Sequence, residues 1–263
     1  MKIFYPPDYL ETEIKKQLLS NDKVDKEKVW TYLIAKKFEY NHSLLIKKLC
    51  RQDEIVPKNS VIWLEAHFDK PREYKDKHPN YGEVIADLSI GFLEKVPNFE
   101  ARIKSNGDWI CIAEAKWGSD DRLKENKRNQ LAKLIESSLL LESNLSKLPE
   151  KVYVTLITPK YMTLRHSHFK VKYFDLFKKY QNNYKNIEYD LECEFKFKKY
   201  NQSFLEERIR NNLKLNWVTY EELLEIENLM ETKIPEKFRT ARESWQDVFQ
   251  ELNMKKLYDK LIR

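Results

Sequence analysis

Apolar residues in the N-terminal fifth of the chain recur at intervals of three and four positions, which places them on one face of an α-helix. The residues with this spacing are Val29, Trp30, Leu33, Ile34, Phe38, Leu44, Leu45 and Leu49. A polar break at 41–43 divides the series. We therefore predict that residues 8–50 are mainly helical, with an interruption near residue 41.

Strand-like patterns replace the helical spacing in the middle of the chain. Residues 81–92 alternate between apolar and polar side chains, and residues 108–117 form a second such run. A short strand at 100–103 and an Asn-Gly turn signal at 106–107 precede this second run, so we predict that 100–103 and 108–117 pair as a hairpin. Residues 61–68 fit either a short helix or a strand.

The rest of the pattern predicts a helix, a buried strand and two further helices. An amphipathic helix begins near residue 119, and residues 151–158 form a buried strand. The capping box Thr219-x-x-Glu222 then opens a helix over 220–232. A last helix has an apolar face that consists of Trp245, Val248, Phe249, Leu252, Leu257 and Leu261.

The order of these elements predicts an α/β protein, with a mixed sheet core flanked by helices and with helical additions at both ends. We divide the chain into an N-terminal helical region (1–58), a core (59–218) and C-terminal helices (219–263). The core includes a basic, aromatic stretch at 160–214. We expect the three parts to pack as one unit.

Composition excludes several classes of protein. The 263 residues contain only four glycines, no two of them within eight residues, so neither a dinucleotide-binding turn nor a P-loop can form. The three cysteines are widely separated, which argues against a disulfide framework or a zinc ribbon. The sequence has no apolar run long enough for a signal peptide or a membrane span. We expect a cytoplasmic protein with no membrane partner.

Three ionisable residues interrupt the apolar strands: Asp87 in the first, and Glu114 and Lys116 in the second. Residues two apart along a strand share a face, so Glu114 and Lys116 project together, and Asp87 reaches them if the strands pair. Two carboxylates on rigid strands suit Mg²⁺, and a lysine beside them can orient or deprotonate an attacking water. The alternative is that Glu114 and Lys116 are solvent-facing residues of an edge strand.

Asp87 followed by the triplet Glu114-Ala115-Lys116 resembles the motif of the PD-(D/E)XK nuclease superfamily, which has the restriction-endonuclease-like fold. The resemblance covers roughly residues 60–160. In that family the aspartate lies on the second core strand and the triplet on the third. The proline that precedes the aspartate in many members is Ala86 here.

The resemblance implies a role for each residue of the motif. Asp87 and Glu114 would hold a Mg²⁺ or Mn²⁺ ion, with the backbone carbonyl of Ala115 as a third ligand. Lys116 would assist the attacking water. Gln130, on the following helix, corresponds to a glutamine that helps to position this water in many members; its other interpretation is a helix-surface amide.

A further acid comes from an earlier helix in many members of this fold. Glu65 is the first candidate for that ligand, followed by Glu54 and Glu39. An isolated glutamate in such a region is also typical of an ordinary surface position.

Clustered basic residues independently indicate a nucleic-acid partner. Residues 160–214 contain 13 Lys and Arg against 7 Asp and Glu, an excess of 6 that equals the net charge of the whole chain. Such clusters attract phosphate backbones, although a charge run is also typical of a solvated face. The candidate phosphate contacts are Lys124, Lys127, Arg128, Lys170, Lys172, Lys178 and Lys179.

These features together predict a metal-dependent nuclease that hydrolyses phosphodiester bonds, with DNA as the expected substrate. One alternative is a catalytically silent nucleic-acid-binding or scaffold protein of the same fold. Another is a helical interaction protein in which the E-x-K triplet is accidental. A homodimer is compatible with the nuclease prediction, since two active sites can cut two strands.

Overall fold

The structure is a computed structural model and describes residues 26–52, 60–68, 85–95, 100–104, 107–116, 130–143, 145–160, 172–192 and 202–225, together with residues 12 and 16. Its strands are β1 (Val61–Phe68), β2 (Ile85–Gly91), β3 (Leu93–Lys95), β4 (Glu100–Ile103), β5 (Trp109–Ala115), β6 (Lys151–Thr158) and β7 (Leu213–Thr219). Its helices are α1 (Lys26–Lys37), α2 (His42–Cys50), α3 (Gln130–Leu139), α4 (Lys172–Asn182), α5 (Lys185–Glu192), α6 (Gln202–Asn212) and α7 (Tyr220–Leu224).

The seven strands form one mixed sheet in the order β3-β4-β1-β2-β5-β6-β7. β2 pairs antiparallel with both β1 and β5, whereas β5, β6 and β7 run parallel to one another. A parallel pair needs a crossover connection, and α3 lies in the connection between β5 and β6. The predicted mixed α/β architecture with a helix-flanked sheet is therefore confirmed.

The strand predictions hold except for one pairing. Residues 61–68 form a strand, 151–158 form the predicted buried strand, and the described part of 81–92 contains β2. The predicted hairpin between 100–103 and 108–117 is wrong, because β4 pairs with β1 and β3. Both edges of β5 are already occupied by β2 and β6. β4 also runs parallel to β5, since β4 is parallel to β1 and β2 is antiparallel to both β1 and β5.

The helix predictions hold in part within the described residues: the helix predicted to begin near residue 119 and to end by Pro149 contains α3, which already ends at Leu139. The N-terminal helical pattern contains α1 and α2, and the break between them ends at Asn41, whose side chain accepts a hydrogen bond from the Leu44 N–H. The capping box of Thr219 and Glu222 opens α7 as predicted. α7 is shorter than the predicted 220–232, because Glu225 has a φ of 55° and ends it. The predicted helix at 245–261 lies outside the described residues.

Two apolar cores lie on opposite faces of the sheet. α1, α2 and α7 cover one face, and α3 to α6 cover the other. Consecutive residues of β5 alternate between the cores, and every residue of the strand is buried. The alternative that places Glu114 on a solvent-exposed edge strand is therefore wrong.

α1, α2 and α7 share one of these cores with the sheet, although α1 and α2 precede β1 and α7 follows β7. Within the parts of the chain that the structure describes, no helix has the length and apolar character needed to span a membrane.

Thr155 fastens α2 to the sheet. Its Oγ1 donates to the Leu49 carbonyl oxygen at 2.9 Å, in the last turn of α2, where carbonyls lack a partner within the helix. Thr155→Val keeps the side-chain shape but removes the donor, so we expect the free energy of unfolding to fall by about 1–3 kcal/mol. Urea denaturation measures this change. Thr155→Ser keeps the hydroxyl and should lose less; a larger loss for serine than for valine would contradict this role.

Candidate metal and phosphate site

Asp87 occupies the point at which β5 separates from β2. The β2–β5 pairing ends at Leu88 and Ala113, whereas the β5–β6 pairing continues to Ala115 and Ile157. The Asp87 Oδ2 accepts a hydrogen bond from the Ala115 N–H at 2.7 Å. A side-chain carboxylate thus replaces the backbone acceptor that β2 no longer supplies, and this contact holds Asp87 at the carboxyl end of β5.

Glu114 and Lys116 form a buried ion pair at the same end of β5. The Lys116 Nζ lies 2.6 Å from the Glu114 Oε1, and the two side chains are 1% and 9% exposed. The Lys116 N–H donates to the Ile157 carbonyl oxygen at 2.9 Å, so the backbone beneath the pair is held by β6. The structure brings Asp87, Glu114 and Lys116 together, as the two-residue spacing and strand pairing predicted.

A fourth charged residue of this group was not among the predicted candidates. Glu27, in the first turn of α1, places its Oε2 4.0 Å from the Lys116 Nζ. Glu27 is three and seven residues before Trp30 and Ile34, both of which are fully buried. An acid three and seven residues before apolar positions of a helix was therefore the signal in the sequence that points to it.

Two of the three acids predicted for this position pair with other lysines. Glu65 is a strand residue, and its Oε1 is 3.0 Å from the Lys28 Nζ. Glu39 pairs with Lys36 at 3.3 Å, and Glu54 lies outside the described residues. An acid does come from an earlier helix, but it is Glu27, which approaches the Lys116 Nζ from the first turn of α1.

Glu65 is still part of the scaffold around Asp87. The pairing of β1 with β2 joins Leu64 to Leu88 and Ala66 to Ala86 but skips the intervening positions 65 and 87. Glu65 has a φ of 48°, a left-handed conformation that is unfavourable for a residue with a side chain. Leu64 and Ala66 belong to opposite cores although residues two apart on a regular strand share a face, so the side-chain alternation of β1 shifts by one position at Glu65, beside Asp87.

Electrostatic interactions within the group shift two pKa values. Burial and the neighbouring Glu114 carboxylate raise the pKa of Asp87 well above its usual range, against the opposing effects of Lys116 and the Ala115 N–H. Burial alone would lower the pKa of Lys116, but the adjacent acids, Glu114 foremost, raise it above its usual value. Lys116 therefore stays protonated, and the group holds more acidic than basic side chains.

The donor atoms of this group suit a divalent cation that prefers oxygen ligands. Asp87 and Glu114 offer carboxylate oxygens, and a cation would relieve the repulsion that raises the pKa of Asp87. Among the described residues, no group of three or more His, Cys, Asp or Glu side chains is placed to hold a metal ion. Two carboxylates are sufficient for Mg²⁺, which is commonly held by one or two of them and completes its shell with water and substrate phosphate.

The other predicted residues are only partly described. Gln130 is the first residue of α3 and is partly exposed. Lys178 and Lys179 are exposed on α4, and the Lys178 Nζ lies 5.4 Å from the centroid of the Trp217 ring. The remaining candidate phosphate contacts lie outside the described residues or, for Lys172, have an undescribed side chain: Lys124, Lys127, Arg128, Lys170 and Lys172.

Strand register relates Lys178 to the ion pair. Glu114 pairs with Leu156 of β6, which in turn pairs with Trp217 of β7. Two strand spacings therefore separate Trp217 from Glu114, a distance of about 10 Å along the sheet. Trp217 packs against the core on the α3-to-α6 face, the face towards which the alternation of β5 directs Glu114. The exposed Lys178 is thus on the side of the sheet towards which β5 directs Glu114.

Comparisons of the chain with protein-family models, with curated proteins and with solved structures find no match. Functional interpretation therefore depends on the geometry and charge of the site itself.

The raised pKa of Asp87 makes stability depend on pH in a defined direction. A carboxyl whose pKa is higher in the folded state adds stability below its unfolded pKa, near 3.8, and loses it as the pH rises through the folded pKa. Asp87→Asn keeps an oxygen that can accept from the Ala115 N–H but has no charge. We expect this variant to be more stable than the wild type at pH 8 in metal-free buffer, with the difference shrinking towards pH 4. Chemical unfolding across this pH range measures it.

The matched control is Glu150→Gln, which neutralises a carboxylate whose side chain is 68% exposed. Its effect on the free energy of unfolding should be small at every pH. A constant stability difference between Asp87→Asn and the wild type across the range would contradict the electrostatic account.

Proposed function

We propose that the protein is a Mg²⁺- or Mn²⁺-dependent nuclease of the PD-(D/E)XK type that hydrolyses phosphodiester bonds, with DNA as its substrate. The observation that carries this proposal is the buried Glu114 carboxylate, grouped with Asp87 and Lys116 at the end of a central strand. Ionised groups are costly to bury, and a hydrophobic pair of similar volume would stabilise the core at least as well. Chemical function explains why charge is kept at this place.

The order of elements around the group supports the proposal. β1, β2 and β5 are successive antiparallel neighbours, and α3 then connects β5 to the parallel strand β6. Asp87 lies on the second of these neighbours, and the Glu114-Ala115-Lys116 triplet ends the third. This is the arrangement that the resemblance to the superfamily implies for its acidic residues and lysine.

Each side chain has a defined part in the proposed reaction. A bound Mg²⁺ ion would neutralise phosphate charge and lower the pKa of a bound water. Asp87 and Glu114 would hold the ion, and Gln130 would help to position the water. Because the neighbouring acids raise the pKa of Lys116, its ammonium would donate hydrogen bonds and offset negative charge on the phosphate.

The exposed lysines of α4 support a nucleic-acid substrate. Lys178 and Lys179 extend positive charge along the face that carries Glu114, where a phosphate backbone passing the site would contact them. Such contacts fix the position of a duplex without reading its sequence. They would hold DNA across the carboxyl ends of the parallel strands.

The silent nucleic-acid-binding relative remains the second candidate. The 2.6 Å pair of Glu114 and Lys116 is also what a purely structural ion pair would show. Purified protein incubated with plasmid, linear and single-stranded DNA and with RNA, with and without Mg²⁺ or Mn²⁺, separates the two candidates. Binding without metal-dependent cleavage of any substrate would select the silent relative.

Cleavage by variants tests the assigned residues. We expect Asp87→Asn and Glu114→Gln each to lower Mg²⁺-dependent cleavage by at least about 100-fold, because loss of a partner that only supports a metal ligand already costs about 10- to 100-fold. Lys116→Ala should lose most activity and still bind DNA. The rate of plasmid nicking measures these effects, with Glu150→Gln as the exposed-carboxylate control. Wild-type cleavage by folded Glu114→Gln would refute the assignment.

Salt dependence tests the proposed role of the α4 lysines in nucleic-acid binding. On duplex DNA, neutralising one lysine that binds a phosphate lowers the slope of log affinity against log salt by about 0.9, so Lys178→Gln with Lys179→Gln should lower it by up to about 1.8. Fluorescence anisotropy at several salt concentrations gives the slope. The control pair is Lys147→Gln with Lys151→Gln, exposed lysines at the opposite end of β6. Equal slopes for the wild type and the α4 variant would remove this surface from the binding model.

A further inference from the structure

The Glu114 carboxylate already has a cationic partner in the folded protein. The Lys116 ammonium lies 2.6 Å from its Oε1, and the Glu114 side chain is only 1% exposed. Replacing the ammonium by water at this carboxylate is costly, because burial strengthens the attraction between the two charges. Any further cation that binds Glu114 must compete with the ammonium group.

We propose that Lys116 is an internal counter-ion that competes with the divalent cation for Glu114. This inference rests on the proposed metal-dependent function and adds a condition for metal binding. A metal ion enters the site only as the ammonium moves away from Glu114, so the same lysine that serves the phosphate also weakens metal binding by the protein alone. Two ligands that exclude each other at one carboxylate are linked by negative coupling, which is equal in both directions.

The displaced ammonium has two anionic partners, one in the protein and one in the substrate. Glu27 Oε2 is 4.0 Å from the Lys116 Nζ, and its side chain is 26% exposed, so the lysine can turn towards α1 without losing an acidic neighbour. A substrate phosphate oxygen supplies a second such partner at the mouth of the site. The Lys116 ammonium therefore has other anionic partners when the cation binds Glu114.

Mn²⁺ binding measured by isothermal titration calorimetry, without any nucleic acid, tests this competition. Lys116→Met removes the charge and keeps the length of the side chain, so we expect it to bind Mn²⁺ at least tenfold more tightly than the wild type. Lys116→Arg keeps the charge and should bind Mn²⁺ no more tightly than the wild type. Lys147→Met, on an exposed lysine at the other end of β6, controls for a change in net charge.

Three outcomes separate the competition from the proposed function. Tighter Mn²⁺ binding by Lys116→Met, but not by Lys116→Arg or Lys147→Met, supports the competition. Measurable and equal Mn²⁺ affinity for the wild type and Lys116→Met would overturn the competition and leave the metal site in place. If neither the wild type nor any Lys116 variant binds Mn²⁺, the proposed metal site is refuted. The proposed function and the competition are then refuted with it.

A second measurement covers the case in which Lys116→Met does not fold. Nitrogen-labelled lysine in the wild-type protein allows the Lys116 Nζ signal to be followed by NMR during titration with Mg²⁺. We expect this signal to shift as the ion pair with Glu114 opens. Saturation of the protein with Mg²⁺ while the Lys116 Nζ signal stays unchanged would overturn the competition.

Discussion

The buried pair of Glu114 and Lys116 is the interaction on which the rest of this site depends. It places a carboxylate with 1% exposure inside a sheet that is otherwise covered on both faces by apolar side chains. Desolvation of two charges is costly, and their attraction offsets it only in good geometry. The charges around the pair then have a physical cause: the Ala115 N–H holds Asp87 beside Glu114 in spite of their repulsion, and Glu27 approaches the lysine from α1.

The site of these charges lies where the β2–β5 pairing ends before the β5–β6 pairing. β5 stays paired with β6 for two residues after it leaves β2, which exposes the Ala115 N–H to the Asp87 carboxylate. The left-handed backbone at Glu65 lies opposite Asp87, at the position where β1 and β2 skip a pair. Backbone strain of this kind persists only where surrounding contacts hold it, and it is found most often at functional sites.

Much of the architecture was predictable because local patterns have local causes. The capping box at Thr219, the strand at 151–158 and the break at Asn41 each depend on a few neighbouring residues, and each is found where the pattern placed it. The pairing of β4 was not predictable in this way. The turn signal at 106–107 predicts a local reversal, but β4 and β5 run parallel, and the neighbours of β5 are chosen by burial of its two faces and edges, which involve β2 and β6.

The sequence by itself determined the apolar strands, their interruption by Asp87, Glu114 and Lys116, and the helical stripe that carries α1. These follow from side-chain spacing, which is a property of neighbouring residues. Only the tertiary structure decided that Glu27, rather than Glu65, joins the lysine, and that the ammonium rests on Glu114. The position of Glu27 depends on where α1 packs, and the burial that keeps the ammonium on Glu114 depends on the elements around β5. Both are set by side chains far apart in the chain, which no local spacing encodes.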